Sequence, residues 1–367
     1  MSNTIGSATP ETYNAQLEEK IELTKYEFDQ YLKGINLEVY PSPKMHFRMR
    51  AEFRIWHQDD KAHYAMYEPG KYKQPVLIDN FSIGSQKICE TMPHLLNEIN
   101  ASSELRQRLF QVEFLSTLSG DLLITLIYHK SLDEAWVIEA TKLEKTIGAY
   151  IIGRSRKQKR VITQDYVTEI LPLSIGEIHY QQIETGFTQP NAMICISMLN
   201  WSVEHSKDLG GDLIELYCGN GNFTIPLSYN FDKVIATEIS KLSTRAATHN
   251  KKINGRKNID LVRLSAEEAC EAIAKKREFR RLSHINIDDF NFSTIFVDPP
   301  RAGLDSDTLD FASRFENIIY ISCNPETLKS NLDYLNRSHQ VSKFALFDQF
   351  PYTHHRECGV ILRRSNT

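Results

Sequence analysis

The stretch DLIELYCGNGNFTIPL, residues 212–227, decides the fold. It reads as a β-favouring apolar run, then a glycine-rich turn, then a predicted helix. Gly219 and Gly221 allow the backbone to turn tightly and to approach a ligand. The third glycine of the dinucleotide-binding pattern is absent, because Thr224 stands in its place. The stretch therefore predicts a nucleotide-binding α/β unit without the full dinucleotide motif.

Further strands and helices alternate after this unit. The runs KVIATEIS, IDLVRLS, STIFVDPP and NIIYISC each end in polar or chain-breaking residues. Such alternation is typical of a doubly wound, mostly parallel sheet. We therefore predict an α/β fold with a Rossmann-like domain over residues 181–367.

The first half of the chain has a different pattern. KMHFRMRAEFRIW, residues 44–56, alternates strictly between apolar and charged positions, which predicts a half-buried strand. A hairpin is expected around Ser119-Gly120, and a helix is expected to begin at Thr9-Pro10. These features predict an α+β domain over residues 1–180.

Composition limits the classes of function. The 367-residue chain has a net charge of −4, so any site for a polyanion must be a local patch. Its six cysteines form no C-x-x-C pair, which argues against zinc, an iron–sulfur cluster and a disulfide framework. The sequence has no signal-peptide core and no run of about 18 apolar residues. We expect a cytoplasmic protein that binds no metal and needs no obligate protein partner.

Acidic residues follow two of the predicted strands. Glu238 lies 19 residues after Gly219, where an acid can accept hydrogen bonds from both ribose hydroxyls. A short G-x-G with this acid suits S-adenosylmethionine better than NAD, although an ordinary turn with a solvated glutamate is the alternative. Asp298 precedes two prolines that fix the backbone, and Arg301 follows them. A plain Pro-Pro turn remains possible at that position.

A cysteine ends the strand in NIIYISCNPETL, residues 317–328. A core cysteine would sit within the apolar run, whereas Cys323 stands at its exit, where α/β proteins keep their chemistry. Position alone leaves open a thiol that is simply packed at a strand end.

These motifs together resemble a known family. FTQPN, ELYCGNGNF, VDPPRAGLD, YISCNPETL and FDQFPYTHHRECGV are similar to motifs of the S-adenosylmethionine-dependent RNA uracil-C5 methyltransferases, and RMRAEFRIWH extends the likeness to most of the chain. The resemblance is strongest to the bacterial branch that acts on tRNA. The ribosomal-RNA relatives typically carry an added β-barrel domain and a four-cysteine motif. The cysteines here lack that spacing, and we expect no such added domain.

The resemblance implies an activity and a set of roles. The expected reaction is methylation of C5 of the T-loop uridine (position 54) of tRNA through a covalent adduct between a cysteine and C6. Cys323 would be the nucleophile and Glu357 the proton acceptor. The residues that would bind S-adenosylmethionine are Gln189, Tyr217, Asn222, Glu238 and Asp298.

Binding of the T arm of tRNA requires basic and aromatic groups, because the target base must leave its stack. Candidate contacts are Arg48, Arg50 and Arg54 on one strand face, Phe110, Arg301 and the basic run Arg154–Arg160. A solvated charged loop is an equally good explanation for that run.

Three other interpretations also fit these residues. The first is an enzyme that acts on another structured RNA with a T-loop-like fold. The second is an enzyme that methylates an amino group of adenine, although adenine enzymes need no thiol at a strand end. A tRNA-binding folding factor is the non-enzymatic alternative. His354 and His355 fit structural or positioning roles better than metal ligation.

Overall fold

The computed structural model describes residues 5–68, 70–71 and 74–365. The helices in chain order are α1 (Tyr13–Glu27), α2 (Gln86–Ala101), α3 (Ser103–Arg106), α4 (Glu134–Ile147), α5 (Ala192–Ser206), α6 (Thr224–Leu227), α7 (Lys241–Ile253), α8 (Ala266–Ile273), α9 (Ser306–Ala312) and α10 (Pro325–Leu335). Single 3-10 turns cover Asp29–Tyr31, Arg280–Leu282 and Ile287–Asp289.

The strands are β1 (Leu37–Tyr40), β2 (Arg50–Gln58), β3 (Lys61–Tyr67), β4 (Pro75–Leu77), β5 (Leu109–Ser116), β6 (Leu122–Tyr128), β7 (Tyr150–Ser155), β8 (Gln158–Val161), β9 (Tyr166–Leu173), β10 (Gly176–Ile183), β11 (Asp212–Leu216), β12 (Val234–Thr237), β13 (Ile259–Val262), β14 (Phe292–Val297), β15 (Asn317–Ser322), β16 (His339–Phe347) and β17 (Glu357–Arg364). Among the described residues, no helix combines the length and apolar character needed to cross a membrane.

Two compact units make up the described chain, and each is assembled from separate segments. The first unit contains the described residues up to Glu11, then Pro43–Ile170 and Gln181–Ala192. The second contains Thr12–Ser42, Leu171–Tyr180 and the described residues from Met193 onward. The chain changes unit at five places, and two of these changes lie within β9 and β10.

This division differs from the single boundary that we predicted after residue 180. Residues 12–42 belong to the second unit because Phe28 and Tyr31 are buried in the same apolar cluster as Ile214 and Phe344. Residues 181–192 return to the first unit. Sequence periodicity cannot reveal such an exchange of segments. It indicates which side of an element is buried, but not which other element that side packs against.

The first unit is an α+β layer. Its sheet has the order β4-β3-β2-β5-β6-β7-β8, with β6 and β7 parallel and the other neighbours antiparallel. The alternation in β2 buries Phe53 while Arg54 stays exposed. Phe53 shares its cluster with Ile88 and Leu95 of α2 and with Trp136 of α4, so these helices supply the other half of the core. The predicted α+β class of this region is confirmed.

The second unit is a doubly wound sheet with the order β1-β16-β17-β15-β14-β11-β12-β13. Strands β11 to β15 run parallel to one another, and β17 runs antiparallel to both β15 and β16. Separate apolar clusters cover the two faces, one with Leu328 and Leu332 of α10 and one with Met198 and Trp201 of α5. Burial on both faces explains why these strands read as nearly continuous apolar runs. The predicted Rossmann-like sheet is confirmed.

Two predicted element boundaries are wrong for local reasons. Helix α1 begins at Tyr13 and not at Thr9-Pro10, because Ala8 belongs to the first unit, where its N–H donates to the hydroxyl of Ser82 over 2.8 Å. Strand β2 begins at Arg50 and not at residue 44, because the N–H groups of His46 and Arg48 donate to Ser82 and Ile83 instead of to a neighbouring strand.

Candidate active site

Three parallel strands of the second unit end at the same edge of the sheet. Leu216 of β11 is level with Val297 of β14, and Val297 is level with Tyr320 of β15. Tyr217, Asp298 and Cys323 each follow one of these strands, so they share the edge where α/β proteins bind ligands.

The antiparallel strand β17 brings Glu357 to this edge. Ser322 pairs with Cys358, so the next position along β15, Cys323, is level with Glu357. Glu357 also pairs with Phe347 of β16, and its exposed fraction is 4%. The sequence separation of 34 residues between the predicted nucleophile and base is thus closed by one strand pairing.

The Asn-Pro dipeptide turns the end of β15 into the start of α10. Asn324 caps α10, because its side chain accepts from the N–H of Glu326 over 3.1 Å, and Pro325 occupies the first turn. The Nδ2 group of Asn324 donates to the carbonyl of Arg301 over 2.9 Å. This bond joins the loop after β14 to the turn that presents Cys323, and the thiol is half-buried there.

Two carboxyl groups and one guanidinium set the charge around the thiol. Burial raises the pKa of Asp298 to about 7, and burial together with the negative charge of Asp298 raises the pKa of Glu357 well above its usual range. Burial, followed by the charges of Glu357 and Asp298, also raises the pKa of Cys323, and Arg301 partly opposes this shift. The resting site therefore favours the protonated thiol and at least one protonated carboxyl.

A pocket of about 260 Å³ opens beside Cys323. It is lined by Glu27, Arg301, Cys323, Asn324, Pro325, Glu326, His354, His355 and Arg356. Burial and the neighbouring His354 lower the pKa of His355, so this imidazole is neutral at pH 7. Within the described part of the chain, no group of three or more His, Cys, Asp or Glu residues has a geometry that would hold a metal ion.

A second pocket of about 260 Å³ lies at the ends of β11 and β12. Its lining consists of Tyr217, Thr237, Glu238, Ile239, Leu264, Ser265, Ala266, Glu267 and Asp305. The Glu238 carboxylate accepts from the N–H of Gly219 over 3.0 Å and from the N–H of Ser240 over 2.7 Å, which fixes its orientation. Gly219 has a φ of 56° and no atom within 4 Å of where a Cβ would lie, so this side of the turn is open.

The lining of this pocket suits a nucleoside. A fixed carboxylate suits the ribose hydroxyls, and the aliphatic side chains of Ile239 and Leu264 suit a flat base. Tyr217 lies in the left-handed region with a φ of 61°, a conformation that is uncommon for a residue with a side chain.

The glycine-rich turn is fixed by residues that the sequence did not single out. Tyr180 donates to the carbonyl of Asn222 over 2.8 Å, and Asn250 donates to the carbonyl of Asn220 over 3.0 Å. The amide of Asn222 lies 3.6 Å from the sulfur of Cys195. Tyr180 and Asn250 are far from the motif in sequence and have no pattern of their own, so no sequence signal could have found them.

Gln189 lies in the first unit, in the segment between β10 and α5. The carbonyl of the adjacent Pro190 accepts from the N–H of Met49 over 2.8 Å, which anchors this segment to the start of β2. A role of Gln189 in cofactor binding stays a prediction.

The three arginines predicted to share one strand face have different surroundings. Arg50 donates to the carbonyls of Glu184 and Gly186, each over 2.9 Å, and Arg48 donates to the carbonyl of Arg50 over 2.9 Å. Both are half-buried and hold the backbone together, whereas Arg54 is exposed.

The guanidinium of Arg54 stacks on one of two neighbouring rings whose side chains are exposed or half-exposed. Its guanidinium lies 4.2 Å from the ring centre of Phe110, and the rings of Phe110 and His129 are 4.2 Å apart with an angle of 24° between their planes. We call Arg54, Phe110 and His129 the stacked triplet. The sequence indicated the first two, while His129, a lone histidine after β6, gave no signal.

Part of the basic run Arg154–Arg160 forms ion pairs within the protein. Arg154 and Lys159 both pair with the buried carboxylate of Glu184, the latter over 3.0 Å. Arg156 and Lys157 remain exposed at the turn between β7 and β8.

Comparison with known proteins identifies the family. A family model described as tRNA (uracil-5-)-methyltransferase matches residues 12–365. The chain is 58% identical over 365 residues to a tRNA/tmRNA (uracil-C(5))-methyltransferase of Saccharophagus degradans, which covers 99% of this chain and 100% of that protein. A protein of the same name from Neisseria meningitidis is 52% identical over 360 residues, covering 96% of this chain and 98% of that one.

A solved structure shows the same fold. The tRNA (uracil-54, C5)-methyltransferase of Pyrococcus abyssi, in complex with S-adenosyl-L-homocysteine, superposes with a TM-score of 0.70 at 21% identity, covering 95% of this chain and 83% of that chain. The family match spans both halves of the sequence and includes all the motifs quoted above. The chain therefore belongs to the tRNA (uracil-5-)-methyltransferase family.

Proposed function

We propose that this tRNA uracil-C5 methyltransferase acts on the T-loop uridine at position 54, through a covalent bond between Cys323 and C6 of the base. The observation that carries the proposal is the pairing of β15 with β17, which sets Cys323 level with Glu357 beside an open pocket. Family membership supports uracil C5 as the target, and it disfavours the adenine amino group.

The chemistry needs one nucleophile and one base on the same ring. Uracil C5 is a poor nucleophile until a thiolate adds to C6, which moves the electrons of the C5–C6 double bond into an enolate. Bound S-adenosylmethionine would supply its sulfonium methyl group to C5, and its S–CH3 bond would break to leave S-adenosylhomocysteine. Glu357 then accepts the C5 proton, the double bond re-forms, and the Cys323 thiolate leaves C6.

The charges around the site link the ionisation of Cys323 and Glu357 to binding of the cofactor. Cys323 and Glu357 act in their deprotonated forms, which burial disfavours in the resting site. Arg301 supports the thiolate, and a cation near the carboxyl pair would favour ionised Asp298 and Glu357. S-adenosylmethionine carries such a charge, so cofactor binding would prepare the base. A carboxylate with a raised pKa is also the stronger base once it is ionised.

The cofactor would be held by the fixed carboxylate of Glu238 and by Tyr217, Asn222 and Asp298 around the glycine-rich turn, with Gln189 as a further contact. The T arm of tRNA would meet Arg301 at the pocket and the stacked triplet in the first unit. Flat side chains can replace the stacking that a displaced base loses. Arg48 and Arg50 would support this surface mainly through the backbone.

A second substrate is a structured RNA with a T-loop-like fold other than tRNA. The names of the relatives from Saccharophagus degradans and Neisseria meningitidis include tmRNA beside tRNA. The enzyme is incubated with S-adenosylmethionine and either unmodified tRNA or unmodified tmRNA, and the nucleosides are analysed by mass spectrometry. This experiment tests both proposed substrates. Formation of 5-methyluridine at the T loop is expected, and methyladenosine or methylation elsewhere would reject the proposal.

Replacement of Cys323 by alanine should abolish turnover while leaving the fold intact. Tight complexes with 5-fluorouridine-substituted tRNA should then dissociate on denaturing gels, because no thioether can form. Cys89→Ala is the matched control, since Cys89 is also half-buried but lies in the first unit. A covalent complex that survives in Cys323→Ala would assign the nucleophile elsewhere, and full tRNA methylation by this variant would exclude the thiol mechanism.

The variant Glu357→Gln should stall after methyl transfer. It keeps the shape of the side chain but removes the proton acceptor, so turnover should fall by about 10²–10⁴-fold. A covalent enzyme–tRNA band should accumulate with ordinary tRNA and depend on S-adenosylmethionine. Glu316→Gln, an exposed residue just before the other end of β15, should behave like wild type. Loss of turnover without this band would mean that Glu357 acts before methyl transfer.

The variant Glu238→Ala should weaken cofactor binding far more than RNA binding. A charge-assisted hydrogen bond contributes about 1.5–3 kcal/mol, which corresponds to roughly 10- to 150-fold in affinity. Calorimetry with S-adenosylmethionine measures this loss, and Glu238→Gln should lose less because it keeps one acceptor. Asp232→Ala, at the opposite end of β12, is the control. Equal affinities for the wild type and Glu238→Ala would remove Glu238 from the site.

Truncation of the stacked triplet should weaken tRNA binding without changing cofactor affinity. Stacking of a base on an aromatic side chain contributes about 1–3 kcal/mol, so filter binding should show this loss in Phe110→Ala. If Arg54 contacts phosphate, Arg54→Ala should reduce the logarithmic salt dependence by about one unit. Tyr26→Ala removes an aromatic ring that is 84% exposed and serves as control. Unchanged binding in both variants would place the RNA elsewhere.

A further inference from the structure

A buried ion pair connects α1 to the segment between β16 and β17. We call residues 348–356 the 348–356 loop. The ammonium of Lys20 donates to Asp348 over 2.7 Å and to the carbonyl of Phe350 over 2.9 Å. The two charged side chains are only 5% and 1% exposed. A lysine buried to this extent is rare and requires a partner.

Other residues of α1 reach the rest of the loop. The amide of Gln16 accepts from the N–H of Tyr352 over 2.5 Å. Glu27 pairs with Arg356 over 2.7 Å, and the same guanidinium donates to the hydroxyl of Thr24 over 3.2 Å. Positions 16, 20, 24 and 27 lie on one face of a helix, so a single face of α1 contacts the loop from its first residue to its last.

The loop leads directly into the proposed catalytic strand. It starts after Phe347 and ends before Glu357, and these two residues pair with each other in the sheet. His354, His355 and Arg356 of the loop line the pocket beside Cys323. Any displacement of the loop would therefore move one wall of that pocket and the residue that begins β17.

Stability alone does not require these charges. A buried ion pair can usually be replaced by apolar residues of similar volume with little loss, whereas removal of one partner costs about 3–5 kcal/mol. The same helix also carries the Lys25–Glu22 pair, whose side chains are 51% and 61% exposed, and such a pair contributes little. What distinguishes Lys20 is that it binds both a side chain and a backbone carbonyl of the loop.

We propose that α1 is a positioning element of the active site, in which Lys20 and Glu27 hold the 348–356 loop so that Glu357 and the pocket wall face Cys323. The inference rests on the proposed role of Glu357. Lys20 and Glu27 act through the loop and are positioning residues, and the reaction itself stays with Cys323 and Glu357.

Lys20→Met tests the proposal, because methionine keeps an unbranched stem but offers neither charge nor donor. The expected result is a fall in kcat of about 10²-fold, the size of a small misplacement of catalytic groups, with a much smaller change in KM for tRNA. Amide hydrogen exchange should accelerate in residues 349–356 and not in β11 to β14. Lys20→Arg should restore part of the rate. Lys25→Met on the same helix should change neither measurement.

A second variant keeps the test decisive if Lys20→Met does not fold. Lys20→Met combined with Asp348→Leu removes the unpaired buried carboxylate but still lacks the bond to the carbonyl of Phe350. The double variant should be folded, with the same fast loop exchange and the same low kcat. Wild-type kcat or wild-type exchange in the folded double variant would overturn the proposal.

Hydrogen exchange does not depend on the reaction, so the two proposals can fail separately. Fast loop exchange in Lys20→Met together with no 5-methyluridine from the wild type would support the positioning role of α1 and reject the proposed function. Correct product from the wild type with unchanged exchange in Lys20→Met would leave the function in place and overturn the positioning role.

Discussion

The pairing of β17 with β15 in antiparallel direction is the constraint on which the site depends. Parallel strands bring only their carboxyl ends to the ligand-binding edge, so a wholly parallel sheet would supply the residues after β11, β14 and β15 and nothing from the start of a strand. Reversal of β17 delivers Glu357, the first residue of its strand, to the same edge. A slip by one residue would turn every side chain of β17 to the opposite face, and the apolar clusters on both faces prevent it.

The same pairing places a carboxyl group in a buried position next to a second carboxyl group. Glu357 sits on an edge that is largely closed to water, and Asp298 adds a second carboxyl nearby. Burial and the nearby charge of Asp298 raise the pKa of Glu357 well above its usual range, so a proton on the carboxyl pair is favoured. A site that binds a cationic cofactor can tolerate this arrangement, because the positive charge arrives with the ligand. The proposed base, Glu357, would then be ionised mainly when the cofactor is bound.

Sequence reasoning found what short-range patterns encode. The glycine-rich turn, the acid after β12 and the cysteine at the exit of β15 each combine a strand with a chain breaker, and the structure has those strands where the patterns predicted them. Sequence reasoning failed where a residue's contact partner is distant in the chain. Nothing near Lys20 indicates a buried ion pair with Asp348, 328 residues away, and this contact belongs to the segment that the predicted domain boundary misplaced. Alternation in β2 gave Arg50 and Arg54 the same face, but only the structure shows that Arg50 is engaged by carbonyls while Arg54 lies over Phe110.

The interleaved segments of the two units impose an order on folding during synthesis. The last segment of the first unit ends at Ala192, so that unit can close while the ribosome is still making the other. Helix α1 leaves the ribosome early, but Asp348 follows 328 residues later, which takes about 16–65 s at 5–20 residues per second. An isolated 15-residue helix is marginal in water, so α1 must wait as an unpaired, partly unfolded segment. Until then Lys20 stays hydrated, and the nascent chain has a completed first unit and a second unit that closes only when its last strands emerge.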